Sequence, residues 1–528
     1  MPSERVLSLI EGLLFAILLV YLVWIPLPFG SVIETAQVPL VIFPIFSGCI
    51  ASVTLFARAR KGQVRTVAPA FAVWTLAAVV FALVVAIQIL PLPASLVRSL
   101  SPSAGTIWDG ARDAARFVGV EGGFRLFRFS VAPEKTAIHL LRFLAYFGVY
   151  LTAAAVVRDR WQRITLALVL GGCALFQVVY GLNEWYAGTD SIWGWHNVKI
   201  HNRVTGTFVN PNHFAHYLGI VLPAVMYVVI SQWKRRSRFG GSPAERIATF
   251  IERDFLSVGV ASALVVACLG GVLVAQSRGA LLSILVGVTL AIGLTRRTMM
   301  GPPAESRHEP RWLRRLKRRL PVPLLRLAGL PAFLRAGSTG LMLILIVVSL
   351  VLFIGVDRTI ARFLPSPEET VTLVGRTRGI EAALGVWGRF VLVGSGLGTF
   401  DDVVLMAQDP LLDKIYTHAH NDYLEIAATT GILGFVGGIG GLLAGAWIFA
   451  RRLRREVQSN RQSDRRHFRR CAAASLAVAL VHATLDFNFF IPANPATLAA
   501  IMGAAVAFRL DDGGENQRSE RWPGQVAG

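Results

Sequence analysis

Residues 417 to 435, THAHNDYLEIAATTGILGF, set two histidines, an asparagine, an aspartate and a glutamate directly before a glycine-spaced apolar run. Two chemistries suit these residue types. His418, His420, Asp422 and Glu425 are all possible metal ligands, but the spacing offers neither H-E-x-x-H nor an acidic D-x-D pair. The better reading is a histidine acting as general base, because an imidazole with an ordinary pKa of about 6.5 is mostly neutral at neutral pH. His418 and His420 would share a face only on a strand, whereas Asn421, Glu425 and the His420 ring would cluster at a helix start. Gly431, Gly434 and Gly437 recur every three residues and would let another helix approach closely.

Arginines at three places in the sequence invite an anion. In HNRVTGTFVNPNHFAHYLG (201 to 219) the Asn-Pro step predicts a loop turning into a helix, with Asn210 or Asn212 as its cap. Arg203 then lies near a helix amino terminus, which suits an anion; the competing reading is an arginine snorkelling to the membrane interface. Arg278, in LVAQSRGALLSILVG, is the single charge between Asp254 and Arg296. An arginine at that depth costs at least about 2.5 to 3.5 kcal/mol unless it is paired or faces water, so it is a functional candidate. Arg376 and Arg378 are expected to start an amphipathic helix that GSGLG breaks. That glycine run lacks the lysine of a phosphate loop, which excludes nucleotide binding.

The elements that must position these residues are membrane helices. The 528 residues are 54% hydrophobic and 16% charged, with a mean hydropathy of +0.55. Apolar windows of about 20 residues predict an all-α polytopic protein with about 12 spans: 6–24, 36–57, 67–90, 136–157, 164–183, 213–232, 254–275, 280–295, 338–356, 429–450, 471–488 and 495–509. Five intervening loops hold 33 of the 53 Lys and Arg, which puts them and both termini in the cytoplasm by the positive-inside rule. The +21 net charge is therefore an orientation signal, not a nucleic-acid footprint. The opposite side receives the long loops 91–135 and 357–428 and every unusual polar cluster. Cys49, Cys173, Cys268 and Cys471 lie in apolar windows without C-x-x-C spacing, so neither a disulfide framework nor a zinc site is expected.

The stretch HAHNDYLEIAATTGILGF resembles the hallmark of the bacterial O-antigen ligase and polymerase superfamily: a His-Asn pair (His420-Asn421), nine residues, then G-x-x-G (Gly431 and Gly434). QILPLPASLVRSLSP, GTFVNPNHFAHYLG, QSRGALLS, GSGLGTF and HATLDFNFFIPANPA are similar to the same family in matching order, from about residue 75 to 505. The resemblance implies a metal-independent, inverting glycosyltransferase in a GT-C-like helical bundle. Such an enzyme moves a glycan from undecaprenyl pyrophosphate to an acceptor hydroxyl on lipid A core, a growing polysaccharide or a protein, in lipopolysaccharide or surface polysaccharide biosynthesis.

By motif, His420 takes the catalytic place and Arg203, Arg278 and Arg376 the pyrophosphate-binding places, although Ile380 stands where a tryptophan is common. Asn421, His418, Asn212 and His213 are supporting candidates. The implied setting is the bacterial inner membrane with the active site in the periplasm and no cofactor. Residues 1–510 form one domain, with a periplasmic loop at 357–428, a basic cytoplasmic loop at 296–337, and a cytoplasmic tail at 511–528. Ligase and polymerase are not separated by these residues. A polysaccharide or lipid transporter is the remaining rival, disfavoured because the notable charges gather at one face.

Overall fold

The computed structural model describes residues 3–119, 126–189, 191–196, 203–236, 255–299, 367–408, 415–458 and 464–510. Within these residues the chain is mostly helical, and its strands form only three two-stranded ribbons. Seven helical stretches are long and apolar enough to cross a membrane: Glu4–Trp24, Glu34–Arg60, Pro69–Ile89, Pro133–Val156, Arg160–Ala187, Pro211–Ser231 and Asp422–Arg455. Gly259–Val274, Arg278–Leu290 and Ala493–Val506 are shorter apolar helices. These ten coincide with windows expected from the sequence. The window at 338–356 and the basic loop at 296–337 lie outside the described residues, apart from 296–299.

Three expectations need correction. The window at 471–488 belongs to a helix that starts earlier, at Asp464, and stops at His482. Its first two turns are arginine-rich yet buried inside the protein, which hydropathy reads as loop. The expected span at 429–450 begins at Asp422, where Asn421 caps the helix by accepting from the amides of Tyr423 (3.0 Å) and Leu424 (3.1 Å). Arg376 and Arg378 do not start their helix, which runs Pro367–Arg389.

The helices used below are α1 (Glu4–Trp24), α2 (Gln37–Arg60), α3 (Pro69–Ile89), α4 (Ala94–Leu100), α5 (Pro102–Phe117), α6 (Pro133–Val156), α7 (Arg160–Ala187), α8 (Pro211–Arg236), α9 (Phe255–Val274), α10 (Arg278–Met299), α11 (Pro367–Arg389), α12 (Phe400–Val403), α13 (Asp422–Phe435), α14 (Gly441–Gln458), α15 (Asp464–His482) and α16 (Ala493–Val506). Helix α8 is central, packed by α7, α9, α15 and α16, while α6 lies between α2 and α16. Gly48 and Gly148 let α2 and α6 touch backbone to backbone, since a Cβ on Gly148 would strike the Pro44 carbonyl.

Each end of the bundle carries its own polar network. At one end Glu11 receives both Arg58 (2.5 Å) and Arg158, and Asp464 receives Arg163 (2.9 Å), Arg160 (3.3 Å) and the Tyr227 hydroxyl (2.6 Å). Pairing of this kind is what allows charge to be kept beside apolar helices. Because Tyr227 is late in α8 and Asp464 opens α15, the start of α8 and the end of α15 meet at the opposite end. His216 and His482 are in contact there, 2.7 Å apart.

Over that second end the two long loops pack on each other. Val97, Trp108, Phe127 and Phe129 from the first share a small core with Val386, Phe390, Phe400, Tyr416 and Ala419 from the second. The GSGLG turn ties this layer to α13. Gly394, Gly396 and Gly398 all take positive φ, and side chains there would strike the Thr429 carbonyl, Ser130 and the His139 ring respectively. Gly431 (φ 64°) breaks α13, and across the join the Ile432 amide donates to Val391 O and the Gly396 amide to Thr429 O. Of the three spaced glycines, Gly437 does admit a neighbouring helix, meeting Val80 of α3, whereas Gly431 serves this loop contact.

Candidate active site

The site is assembled by latching residues 483–489 onto the start of α13. The Asp422 carboxylate accepts the amides of Asn488 (2.8 Å) and Phe489 (3.0 Å), its own amide bonds Ala483 O, and Asn421 donates Nδ2 to Thr484 O. These bonds carry Asp486 to His420. The Asp486 Oδ1 atom lies 3.0 Å from His420 Nδ1, and Oδ2 accepts Asn212 Nδ2 at 3.0 Å. Arg376 Nη2 stands 3.9 Å and His213 Nε2 4.0 Å from the same carboxylate.

Asp486 is only 1% exposed, so burial opposes its charge. The His420 hydrogen bond and the nearby Arg376 guanidinium outweigh burial and hold the carboxyl well below its ordinary range. An ionised carboxylate only accepts, so His420 Nδ1 carries the proton and Nε2 is left as the basic nitrogen. His420 itself takes φ +50°, a left-handed conformation that a non-glycine residue keeps only when its surroundings hold it there.

A second pair of the same kind stands beside the first. His418 Nδ1 lies 2.8 Å from the buried Glu425, whose other oxygen accepts the Ala419 amide. Phe487 separates the two histidines: the His418 ring stacks on it at 3.9 Å and 11°, and His420 meets it edge-on at 5.2 Å. Burial alone would lower the His418 pKa, but the Glu425 charge and bond prevail and raise it above the ordinary value. The stabilisation from that charged pair is thus fully present below about pH 6.5 and is lost as pH rises through the higher folded value. Of the four residues first weighed as metal ligands, His418 and Glu425 pair with each other, His420 pairs with Asp486, and Asp422 accepts backbone amides. Among the described residues no group of three or more His, Cys, Asp or Glu is placed to hold a metal ion.

The arginines divide. Arg203 does not sit free at a helix start. It caps the end of α9 by donating to Ala275 O (Nη2, 2.7 Å) and Gln276 O (3.2 Å), and it bonds Asn212 Oδ1 at 3.1 Å. A continuous chain results: Arg203, Asn212, Asp486, His420. Asn210 proves to be the capping residue of α8, its side chain accepting the Asn212 amide at 2.9 Å. Arg278 opens α10 next to Gly279, which lies flat against His482. Arg376 reaches the site from α11 with its side chain 35% exposed. The structure thus joins Arg203, Asn212, His213, Arg376 and His420 around Asp486, with His418 one ring away.

Sequence reasoning missed Asp486, although HATLDFNFF contains it; a lone aspartate at the end of an apolar window was the available signal. It also missed the buried His216–His482 pair directly beneath.

Seven helical stretches long and apolar enough to cross a membrane, with a histidine-carboxylate cluster at one end, suggest a multi-pass membrane protein. Residues 263–439 match the family model of O-antigen ligase, which supports a place for the chain in the O-antigen ligase and polymerase superfamily. The match takes in Arg278, Arg376, His418, His420 and Asn421, while Arg203, Asn212, His213 and Asp486 lie outside it. No curated protein matches the chain. That family implies a ligase- or polymerase-type, glycosyltransferase-like activity on lipid-linked glycans in general.

Proposed function

We propose that this protein transfers a glycan from undecaprenyl pyrophosphate to an acceptor hydroxyl at the periplasmic face of a bacterial inner membrane. It does so as a metal-independent, inverting glycosyltransferase of the O-antigen ligase type, with lipid A core as acceptor and no cofactor. Polymerisation of a growing polysaccharide is the same chemistry with a different acceptor. The observation that carries the reading is the His420–Asp486 contact, a base oriented by a buried carboxylate at the edge of a lipid-facing bundle.

In this reading the acceptor hydroxyl gives its proton to His420 Nε2 as its oxygen attacks the anomeric carbon. The bond from that carbon to the pyrophosphate oxygen breaks on the opposite face, and the lipid pyrophosphate leaves with the electron pair. Arg278 and Arg376 hold the departing charge with forked donors, and Arg203 contributes from the end of α9. Asn421 and Asn212 position the histidine and its carboxylate. Domain limits follow the expectation above: one catalytic domain over 1–510 and a tail at 511–528.

Arg203→Lys and Arg278→Lys keep the charge and lose the fork. Each is expected to lower transfer from the lipid donor severely, by about tenfold or more, in an assay with purified protein at matched expression. Full activity in both would leave these arginines a structural or anchoring role only.

Orientation is tested separately. Reporter tags near residues 315 and 460 are expected in the cytoplasm, and tags near 110 and 405 outside. External accessibility of 296–337 in intact cells would put the His420 site on the wrong side for a periplasmic reaction.

A further inference from the structure

Arg142 is a charge that the site above does not use. It lies in the membrane-spanning helix α6, about one turn beyond His139. His139 is at the edge of the site: its ring packs against Gly398 and lies 5.8 Å from Phe490, which in turn lies 5.7 Å from His418. The Arg142 Nε donates to Gln37 Oε1 at 2.7 Å, and Gln37, the first residue of α2, is itself fixed by Nε2 to Ile33 O at 3.0 Å. Among the described residues Arg142 makes no other hydrogen bond, and no carboxylate stands in ion-pair range of it.

That differs from the opposite end of the bundle, where Arg58 and Arg158 share Glu11 and Arg163 has Asp464. An arginine in a membrane helix costs at least about 2.5 to 3.5 kcal/mol without a partner, so its retention with both Nη atoms unengaged calls for an anion. The flanks say where the anion comes from. Val38 and Ile42 on α2 and Ile138 and Leu141 on α6 are apolar and exposed, which on a membrane helix means facing lipid. Ile138 is one turn from Arg142 on the same stripe of α6. The seam therefore opens sideways into the bilayer at the end that holds the site, and Gln37 fixes the guanidinium at that opening.

We propose that Arg142, oriented by Gln37, binds the phosphate of a lipid headgroup at the seam between α2 and α6, and that the lipid is the polyprenyl pyrophosphate donor entering toward His420. The identity of the lipid rests on the transferase reading; the phosphate site does not. Two unengaged Nη atoms give bidentate pairing to a phosphate, and Nε stays on Gln37. Arg142 touches no reacting atom, so its effect belongs to donor capture and not to turnover.

The test uses the full chain in phosphatidylcholine nanodiscs, titrated separately with undecaprenyl pyrophosphate, phosphatidylglycerol and inorganic pyrophosphate. Arg142→Gln is expected to weaken undecaprenyl pyrophosphate binding about tenfold and to raise the donor KM by the same factor, with kcat held within about twofold. Arg142→Lys is expected to lose less, and Gln37→Leu, which keeps the charge but frees its direction, less again. Equal binding of undecaprenyl pyrophosphate by the wild type and Arg142→Gln overturns the site. A loss confined to phosphatidylglycerol overturns the donor assignment, and an equal loss for inorganic pyrophosphate overturns the lipid-facing seam as its basis. Because binding needs no turnover, a chain that captures the lipid through Arg142 but transfers nothing leaves the lipid-phosphate site standing and refutes the transferase.

Discussion

Replacing His420 with alanine is expected to lower glycan transfer by about 10² to 10⁴, roughly 3 to 5.5 kcal/mol of barrier, while binding of the lipid donor is retained. The size follows from the role: only the proton leaving the acceptor oxygen is lost a home, and the groups assigned to the pyrophosphate stay. His418→Ala is expected to cost less, because Nδ1 of that ring is engaged with Glu425 and its face is covered by Phe487. The assay is purified enzyme, undecaprenyl-pyrophosphate glycan and acceptor, with EDTA present throughout. Normal turnover by His420→Ala would remove the base assignment. Loss of wild-type activity in EDTA would favour the metal reading instead.

The likeness of His418 and His420 in sequence hides a division that only the fold reveals. Two residues apart, each could have been either a ligand or a base. What separates them is which carboxylate each finds: Glu425 lies one helical turn into α13 and is local, while Asp486 arrives from 66 residues downstream. Local partners are legible from helix spacing, and the helix start at Asn421 and Glu425 is expected for that reason. Long-range partners are not, since nothing in LDFNFF says which turn of another helix it will latch.

Helix positions followed the same division. Apolar windows located the lipid-facing helices well, because those obey hydropathy along their whole length. The start of α15 escaped, since Arg465, Arg466 and Arg470 are buried inside the protein, where local charge density misleads. Arg203 was legible as an unusual arginine but not as a cap of α9, because its carbonyl partners at 275 and 276 are backbone groups that carry no sequence signature. Gly431 shows the converse: its spacing was visible, while its left-handed φ against the GSGLG turn was not.

If the carboxylate of Asp486 orients His420, then Asp486→Asn, which keeps the shape, is expected to lose transfer by about 10² to 10⁴, nearly as much as removing the histidine. The amide can present its N–H to Nδ1, which places the ring proton on Nε2 and leaves no base toward the acceptor. Additivity separates this from a packing defect: the His420→Ala, Asp486→Asn double variant should be hardly slower than either single, because both act through one proton transfer. A strictly additive double loss would show that Asp486 acts elsewhere. Stability supplies an independent reading. A carboxyl held below its ordinary range stabilises the fold at pH values above about 4 and loses that contribution as pH falls through its lower folded value. The melting temperature of the wild type should therefore exceed that of Asp486→Asn at neutral pH, and the gap should narrow in acid below about pH 4. A gap that stays constant down to strong acid would mean that the carboxylate is not charged where His420 needs it.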